Sequence, residues 1–256
     1  MINFTPEEML PEVQRRLAEK IPSAIIRYGD GEAMTLNGFN DQEALSRILR
    51  KLLGKLPQVD EIEQIRQNLI YAYQNADIIG IPVNKRLDQP NSYWYKALKI
   101  LVEHAGPTVV TNTPLTSIDF HLIWQDKNYF EKLLTGVDTL NYVSCRPLDE
   151  AFKRRFGIKN VCSFQIAPEM SFTPGYVGDP HFPVQFDQVR RWMKAAPIEG
   201  NLCLVGAGVV GKIYNNWFKD YGGISIDIGS VMDAWDGRVT RGPDRGPDKF
   251  DDQFKL

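Results

Sequence analysis

Cysteine is scarce in this sequence, and its positions argue against a disulfide framework. Only three cysteines occur in 256 residues, and Cys145, Cys162 and Cys203 lie far apart without a C-x-x-C spacing. Cys162 and Cys203 fall in apolar, strand-like runs, which predicts buried thiols rather than disulfides. This cysteine usage favours a reducing, cytoplasmic compartment.

Long apolar runs and an excess of charge of one sign are also missing. No apolar run approaches the roughly 18 residues that a membrane span needs, and charged residues interrupt the N-terminus where a signal peptide would be apolar. A formal net charge of -2 gives no electrostatic reason to bind nucleic acid or an anionic membrane surface. We therefore expect a cytoplasmic protein with no nucleic-acid partner and no membrane span, and the sequence gives no indication of its oligomeric state.

The order of apolar and amphipathic segments predicts the fold class. Buried strands are predicted at residues 24–26, 77–83, 108–111, 137–143, 160–164, 201–205 and 224–228. Helices are predicted at 5–20, 41–53, 60–76, 92–104, 115–134 with a break near 126, 148–156, 185–195 and 209–221, with a short one after residue 32. This alternation predicts an α/β fold with a mostly parallel sheet and helices on both faces. No linker or repeat precedes residue 236, so we expect a single domain over residues 1–235.

The last segment, residues 236–256, differs in composition from the rest. It holds five basic and five acidic residues, three glycines and two prolines, with little that could form a core. One interpretation is a solvated polar tail. The other is a segment that folds over a bound ligand and places Arg238, Arg241 or Arg245 on a phosphate.

The stretch from Ala24 to Glu32 leads from a predicted strand into a polar end. On an extended backbone, Asp30 and Glu32 at i and i+2 would point to the same side. They would then suit a divalent cation such as Mg²⁺ or Mn²⁺ that shares oxygen ligands with substrate phosphates, with Arg27 on a diphosphate oxygen. The alternative is structural, because Gly-Asp-Gly is an ordinary turn sequence and both acids could cap the following helix.

A second motif follows the predicted strand at 201–205. Gly206, Gly208 and Gly211 have the G-x-G-x-x-G spacing of a dinucleotide-binding loop, and Asp227 lies where an acid would meet a ribose hydroxyl. Only 29 residues remain after Asp227, too few for the further βα units of a complete dinucleotide fold. The loop therefore predicts contact with one nucleotide, or else only tight packing of a strand and a helix, and a hydride-transfer cofactor is disfavoured.

Histidine and tryptophan add a few further candidates. His121 and His181 are candidates for acid–base or sugar-contacting groups, although single histidines are more often structural. Four of the five tryptophans occupy predicted helices, where core packing is the ordinary role. Trp235, beyond the last predicted strand, is the favoured candidate for stacking on a ligand.

Taken in order, these motifs resemble a known family. The sequence Ile26-Arg-Tyr-Gly-Asp-Gly-Glu32, with Leu204-Val-Gly-Ala-Gly208 and Asp227-Ile-Gly-Ser230 towards the C-terminus, resembles the GT-D-type glycosyltransferases, first catalogued as a bacterial domain of unknown function. The resemblance spans most of the chain and implies a Rossmann-like sheet. It also implies a D-x-E motif, matched by Asp30 and Glu32, that contacts a divalent metal and a nucleotide during sugar transfer.

The resemblance leads to a specific hypothesis. Mn²⁺ or Mg²⁺ on Asp30 and Glu32 would neutralise the diphosphate of a nucleotide sugar, for which a UDP-sugar is favoured, as a hexose leaves for a glycan or glycoprotein acceptor. The donor would contact Arg27, Gly29, Gly206, Gly208, Gly211 and Asp227. The resemblance assigns no catalytic base, and if the reaction inverts configuration, the candidates for the group that accepts the acceptor's proton are His121, Asp119 and Asp179.

Two other functions stay open at this point. The glycine loop could serve an enzyme that uses NAD or S-adenosylmethionine and needs no metal. The chain could also bind a nucleotide sugar without turning it over. Nucleotide binding measured with and without a metal distinguishes an enzyme that uses NAD or S-adenosylmethionine from a transferase. Product analysis distinguishes a non-catalytic binder from a transferase.

Overall fold

The computed structural model of the chain describes residues 4–37, 42–53, 57–82, 89–90, 92–169 and 175–238. Within these ranges, no helix combines the length and the apolar character that crossing a bilayer requires. Most of the predicted tail, including Arg241 and Arg245, lies outside the described residues. Arg238 is described, and its Nε donates to Asp236 Oδ2 at 2.6 Å.

Seven strands among the described residues form one sheet. The strands are β1 Ser23–Arg27, β2 Ile78–Ile81, β3 Leu115–Ser117, β4 Thr139–Ser144, β5 Asn160–Gln165, β6 Leu202–Gly206 and β7 Ile224–Asp227. Their spatial order is β3-β2-β1-β7-β6-β4-β5, and every neighbouring pair is parallel. The predicted α/β class is confirmed.

Twelve α-helices connect and flank these strands in the described part of the chain. They are α1 Pro6–Ala18, α2 Asp30–Asn37, α3 Gln42–Leu53, α4 Val59–Gln74, α5 Tyr93–Ala105, α6 Thr108–Thr111, α7 Phe120–Asp126, α8 Tyr129–Leu134, α9 Asp149–Phe156, α10 Phe186–Met193, α11 Gly211–Asp220 and α12 Val231–Trp235. A π-helical turn, His181–Gln185, leads into α10. The start signals were read correctly in two cases, since Thr5 and Ser92 each accept a hydrogen bond from a first-turn N–H.

The helices cover both faces of the sheet and produce two hydrophobic cores. Successive strand residues point to opposite faces, so Ala24 and Ile26 belong to one core and Ile25 to the other. Helices α2 to α6, α10 and α11 pack on the first face. Helices α1, α7, α8, α9 and α12 pack on the second, which confirms the predicted layering.

One predicted strand was wrong. Residues 108–111 form helix α6, although their β-branched composition favours a strand locally. Backbone N–H groups at the end of this turn donate to the carbonyls of Pro107 and Thr108. The edge strand is instead β3, which lies inside a segment predicted to be helical and pairs with β2. The predicted break near Asp126 is confirmed, because α7 ends there and α8 begins at Tyr129.

The strand order brings distant motifs to one edge of the sheet. β1 and β7 are neighbours, and β6 follows β7, so Arg27, Asp227 and Gly206 end three adjacent strands. Strands β1 to β3 lie on one side of β7, and strands β4 to β6 lie on its other side. Such a reversal of strand order leaves a crevice at the carboxyl ends of the strands, where open α/β sheets bind ligands.

Candidate functional site

A cleft of about 220 Å³ opens at this carboxyl edge. The predicted site residues that line it are Arg27, Gly29, Asp30, Glu32, His121, Gly206 and Gly208. Gly211 and Asp227 are both buried and lie outside the lining. The acidic motif and the glycine loop therefore line one concave site.

The backbone at the acidic motif is helical rather than extended. β1 ends at Arg27, and both acids lie in the first turn of α2, so their side chains diverge instead of pointing the same way. Asp30 is exposed, and its Oδ1 accepts the Gly31 N–H at 3.0 Å. Glu32 is buried and its Oε2 accepts the Gly29 N–H at 2.9 Å. Two carboxylates in a first helical turn are also favoured by the helix dipole, so the structural interpretation of this motif accounts for part of its pattern.

Lys212, which sequence reasoning missed, connects the two motifs. Its Nζ lies 2.6 Å from Glu32 Oε1 and 3.0 Å from Asp227 Oδ2. The same ammonium donates to the Gly208 carbonyl at 3.1 Å, so its three donors match three acceptors. Lys212 is the only charged residue between positions 201 and 218, and that isolation in a neutral segment was the available signal.

Asp227 is held from two sides beneath the cleft. Arg27 grips both carboxylate oxygens, with Nε 3.2 Å from Oδ2 and Nη2 3.0 Å from Oδ1. Burial of the carboxyl opposes its ionisation, but Arg27 and Lys212 outweigh this effect and hold the pKa of Asp227 below its ordinary value. Both oxygens are thus engaged within the protein, and the ribose contact stays a prediction.

Arg27 is also held by His121 on the opposite side of its guanidinium. Its Nη1 lies 2.7 Å from His121 Nε2 and 3.2 Å from Nδ1, so a ring nitrogen of the imidazole accepts a hydrogen bond from the guanidinium, which can only donate. Asp119, two residues earlier, lines the same cleft. No described residue pairs with its carboxylate. Asp179, the third base candidate, is exposed and lies outside the lining.

The glycine loop shows why its glycines are needed. Gly208 has φ +58, a left-handed conformation that favours glycine. A Cβ at Gly206 would meet Met232 Cγ at 2.8 Å and the Gly229 carbonyl oxygen at 3.0 Å. A Cβ at Gly211 would meet Val205 Cγ1 at 3.2 Å, as expected where a helix packs closely on its strand.

Arg146 is a second functional candidate that sequence reasoning missed. It comes two residues after the end of β4 and lines the cleft, although only 5% of it is exposed. Its Nε lies 2.7 Å from Asp233 Oδ1. Its position just past a strand's carboxyl end was the signal that could have identified it.

The tryptophan prediction is corrected by the structure. Trp235 is only 3% exposed, its Nε1 donates to Gln125 Oε1 at 2.9 Å, and its ring meets Phe130 and Phe152 edge-on. It is therefore part of the second core. Trp94 lines the cleft instead, with its ring centroid 5.1 Å from that of Tyr93. Its position on a predicted helix made core packing the simpler expectation.

His181 lines the cleft from the segment before α10. Its Nε2 lies 2.8 Å from the Tyr214 hydroxyl, and burial lowers the pKa of His181 to about 3. The imidazole is therefore neutral at pH 7. Residues 170–174, which precede this segment, lie outside the described residues.

The charges of the cleft leave an excess of negative side chains. The described side chains on its lining comprise four bases, Arg27, Lys51, Arg146 and Lys212, and five acids, Asp30, Glu32, Asp119, Glu169 and Asp233. Asp227 beneath adds a sixth acid, so this set carries a net charge of -2 with neutral histidines. Within this set of described side chains, a cation that accompanied an incoming diphosphate would reduce the repulsion between the two negative charges.

If a divalent cation binds in this cleft, Asp30 would hold it rather than a closed protein cage. Among the described residues, no group of three or more His, Cys, Asp or Glu side chains is arranged to hold a metal. Mg²⁺ is commonly held by one or two carboxylates together with substrate phosphates and water. Asp30 supplies an exposed carboxylate with no described side-chain partner, whereas Glu32 is already paired with Lys212.

Comparison with known proteins agrees with this fold. Residues 4–155 match the GT-D-like family, described as a GT-D fold-like domain. No curated protein matches the chain. A structure described as the highly conserved domain of unknown function 1792 with a distinct glycosyltransferase fold aligns with a TM-score of 0.57 and 13% identity, covering 100% of this chain and 91% of that one.

A second solved structure is described as a new glycosyltransferase of the same domain type from Streptococcus sanguinis. It aligns with a TM-score of 0.52 and 12% identity, covering 100% of this chain and 94% of that one. At such identities the likeness shows a shared fold, while the family match covers more than half of the sequence. The chain belongs to the GT-D-like family.

Proposed function

We propose that this protein is a glycosyltransferase that uses a nucleotide-diphosphate sugar, with a UDP-sugar as the favoured donor. It would transfer a hexose to a glycan or glycoprotein acceptor in the cytoplasm, assisted by Mn²⁺ or Mg²⁺. The observation that carries this proposal is the shared cleft, which is lined both by Asp30, a carboxylate that pairs with no described side chain, and by the Gly206–Gly208 loop. Membership of a family with this fold supports the reaction class.

The charge arrangement indicates how the donor is bound. Arg27, Lys212, Glu32 and Asp227 form a buried network of two positive and two negative charges. Because this network balances itself, Asp30 is left as a carboxylate that no described side chain neutralises. A divalent cation bound there would offset the negative excess of the cleft and the charge that develops on the departing diphosphate.

The chain's own residues hold this geometry before any ligand arrives. Glu32 fixes the first turn of α2 to Lys212, and Lys212 fixes the Gly208 carbonyl. The glycine loop and the acidic motif are thereby held in fixed relation. Such preorganisation reduces the rearrangement needed to bind the donor and to stabilise the transition state.

For the acceptor, Asp119 is the best-placed base among the three candidates. Its carboxylate lines the cleft without a described partner, whereas His121 is engaged by Arg27 and Asp179 lies outside the lining. In an inverting reaction, Asp119 would take the proton from the acceptor hydroxyl as its oxygen bonds to the anomeric carbon. The bond from that carbon to the diphosphate would break, and the nucleoside diphosphate would leave with the electron pair.

Two matched variants test the proposal. Asp30→Asn should abolish metal-dependent sugar transfer with a stability loss below about 1 kcal/mol, because Asp30 is exposed at a helix start. Glu32→Gln should lower stability by about 1–3 kcal/mol, because it weakens a buried charged hydrogen bond. Transfer rates with a UDP-sugar panel, combined with urea unfolding, separate the two effects. Full activity of Asp30→Asn would contradict the metal assignment.

Thermal shift measurements separate this function from the alternatives. A nucleoside diphosphate should raise the melting temperature only when Mn²⁺ or Mg²⁺ is present. Metal-independent stabilisation by NAD or S-adenosylmethionine would contradict the proposal. Binding of a nucleotide sugar without any product in the presence of glycan and glycoprotein acceptors would indicate a non-catalytic binder.

A further inference from the structure

Resting on the proposed function, we infer that Arg146 and Ser230 form an oxyanion site for the donor's diphosphate. This site would make the protein prefer a nucleoside diphosphate to the corresponding monophosphate. Both residues line the cleft, although only 5% of Arg146 and 8% of Ser230 are exposed. Polar side chains with so little exposure ordinarily donate hydrogen bonds to other groups of the protein.

The guanidinium of Arg146 has more N–H donors than it uses on described residues. A guanidinium carries five N–H donors, and Arg146 uses its Nε on Asp233 Oδ1 at 2.7 Å. Its two Nη groups donate to no described residue. The backbone N–H of Arg146 donates to Ser144 Oγ at 3.1 Å, so the residue is anchored at both ends while the Nη groups stay available.

Ser230 lies one turn before the residue that orients Arg146. The N–H of Asp233 donates to the Ser230 carbonyl at 3.1 Å, which fixes Ser230 to the same turn. Its hydroxyl makes no hydrogen bond with a described residue. The Asp233 carboxylate therefore orients the guanidinium, and the Ser230 hydroxyl provides a second donor on the lining of the same cleft.

The other cations of the cleft are less suited to this role. Arg27 donates to Asp227 and His121, and the ammonium of Lys212 has three acceptors of its own. Lys51 lies on α3 with an exposed side chain. Arg146 is the cation that presents a planar pair of donors, and this geometry matches two oxygens of a phosphate.

The inference is tested by comparing diphosphate and monophosphate affinities. The nucleoside diphosphate that stabilises the wild type best, and its monophosphate, are titrated calorimetrically with Mn²⁺. Arg146→Gln should weaken diphosphate binding by about tenfold or more, the loss expected for hydrogen bonds to a charged group. Monophosphate affinity should stay within about twofold, so the preference for the diphosphate is lost.

Two further variants keep the test decisive if Arg146→Gln folds poorly. Arg146→Lys retains a cation beside Asp233 but lacks the planar fork, and it should also lose the diphosphate preference. Ser230→Ala should weaken diphosphate binding by a smaller factor, about threefold to fivefold. Arg155→Gln on the exposed surface of α9 is the matched control and should leave both affinities unchanged.

The outcomes distinguish this inference from the function beneath it. An unchanged ratio of diphosphate to monophosphate affinity in Arg146→Lys and Ser230→Ala would overturn the oxyanion site and leave the transferase proposal standing. An equal loss of affinity for the diphosphate and the monophosphate would also overturn the inference, because the site would then not contact the second phosphate. A wild type that binds no nucleoside diphosphate with either metal would overturn both.

Discussion

Lys212 and Glu32 form a buried ion pair, with 2.6 Å between Nζ and Oε1 and less than a tenth of either side chain exposed. This contact joins the helix after the glycine loop to the helix that starts at the acidic motif. Lys212 also reaches Asp227, so one ammonium serves two buried carboxylates. The stability of the site therefore depends on a residue that contacts both motifs and belongs to neither.

Removing this ammonium should be costly. Lys212→Met leaves Glu32 and Asp227 buried near each other with less compensating charge, and we expect a loss of about 3–5 kcal/mol in the free energy of unfolding. Urea denaturation at pH 7 measures it. Lys153→Met, which removes an exposed pair with Glu150, is the control and should change little. Wild-type stability in Lys212→Met would show that the network contributes nothing.

Asp227 should make the fold sensitive to strong acid. Although burial opposes ionisation, Arg27 and Lys212 hold the pKa of Asp227 below the ordinary 3.8. A carboxyl with a lowered native pKa contributes stability that is fully present above pH 3.8 and is lost as the pH falls through the native pKa. Asp227→Asn should have a lower free energy of unfolding at neutral pH. Its free energy of unfolding should also fall less than that of the wild type as the pH drops through the native pKa of Asp227. Free energies of unfolding measured between about pH 2 and 5 give the slope of stability against pH. An equal slope in the wild type and in Asp227→Asn would refute the prediction.

His181 should weaken the fold over a higher pH range. Burial lowers the pKa of His181 from 6.5 to about 3, so the unfolded chain binds a proton that the folded chain does not. The free energy of unfolding should therefore fall as the pH drops from 6.5 towards 3, by up to about 1.4 kcal/mol per pH unit. His181→Gln should flatten this slope, while His104→Gln should alter it less because His104 is more exposed. A His181→Gln slope equal to that of the wild type would be the contrary result.

The glycine at the end of β6 should be sensitive to a single methyl group. In Gly206→Ala, the new Cβ would approach Met232 and the Gly229 carbonyl oxygen, and overpacking of this kind costs about 1–3 kcal/mol. Gly206→Ala should also lose the rise in melting temperature that a nucleotide causes, because the glycine loop is displaced. The double variant Gly206→Ala/Met232→Ala removes the contact with the Met232 side chain but keeps the contact with the Gly229 backbone, so this rise should stay lost. Full recovery in the double variant would show that the Gly229 turn tolerates the added group.

Several features were readable from local sequence alone. The alternation of buried apolar runs with amphipathic segments gave the parallel α/β architecture, and Thr5 and Ser92 were recognisable helix caps. These signals depend on residues close together in the chain. Local reasoning failed at residues 108–111, because the β-branched run became a helical turn and the edge strand formed after it.

The sequence by itself determined that the acidic motif and the glycine loop each follow a strand of an α/β sheet, since periodicity and glycine spacing are local properties. Tertiary structure decided what their side chains do. The helical first turn of α2 separates Asp30 from Glu32, and the pairing of β1 with β7 brings Arg27 to Asp227. Lys212 gains its role only because α11 packs on both strands. Partners of buried charges depend on which strand ends become neighbours, and that order arises from packing between segments far apart in the chain.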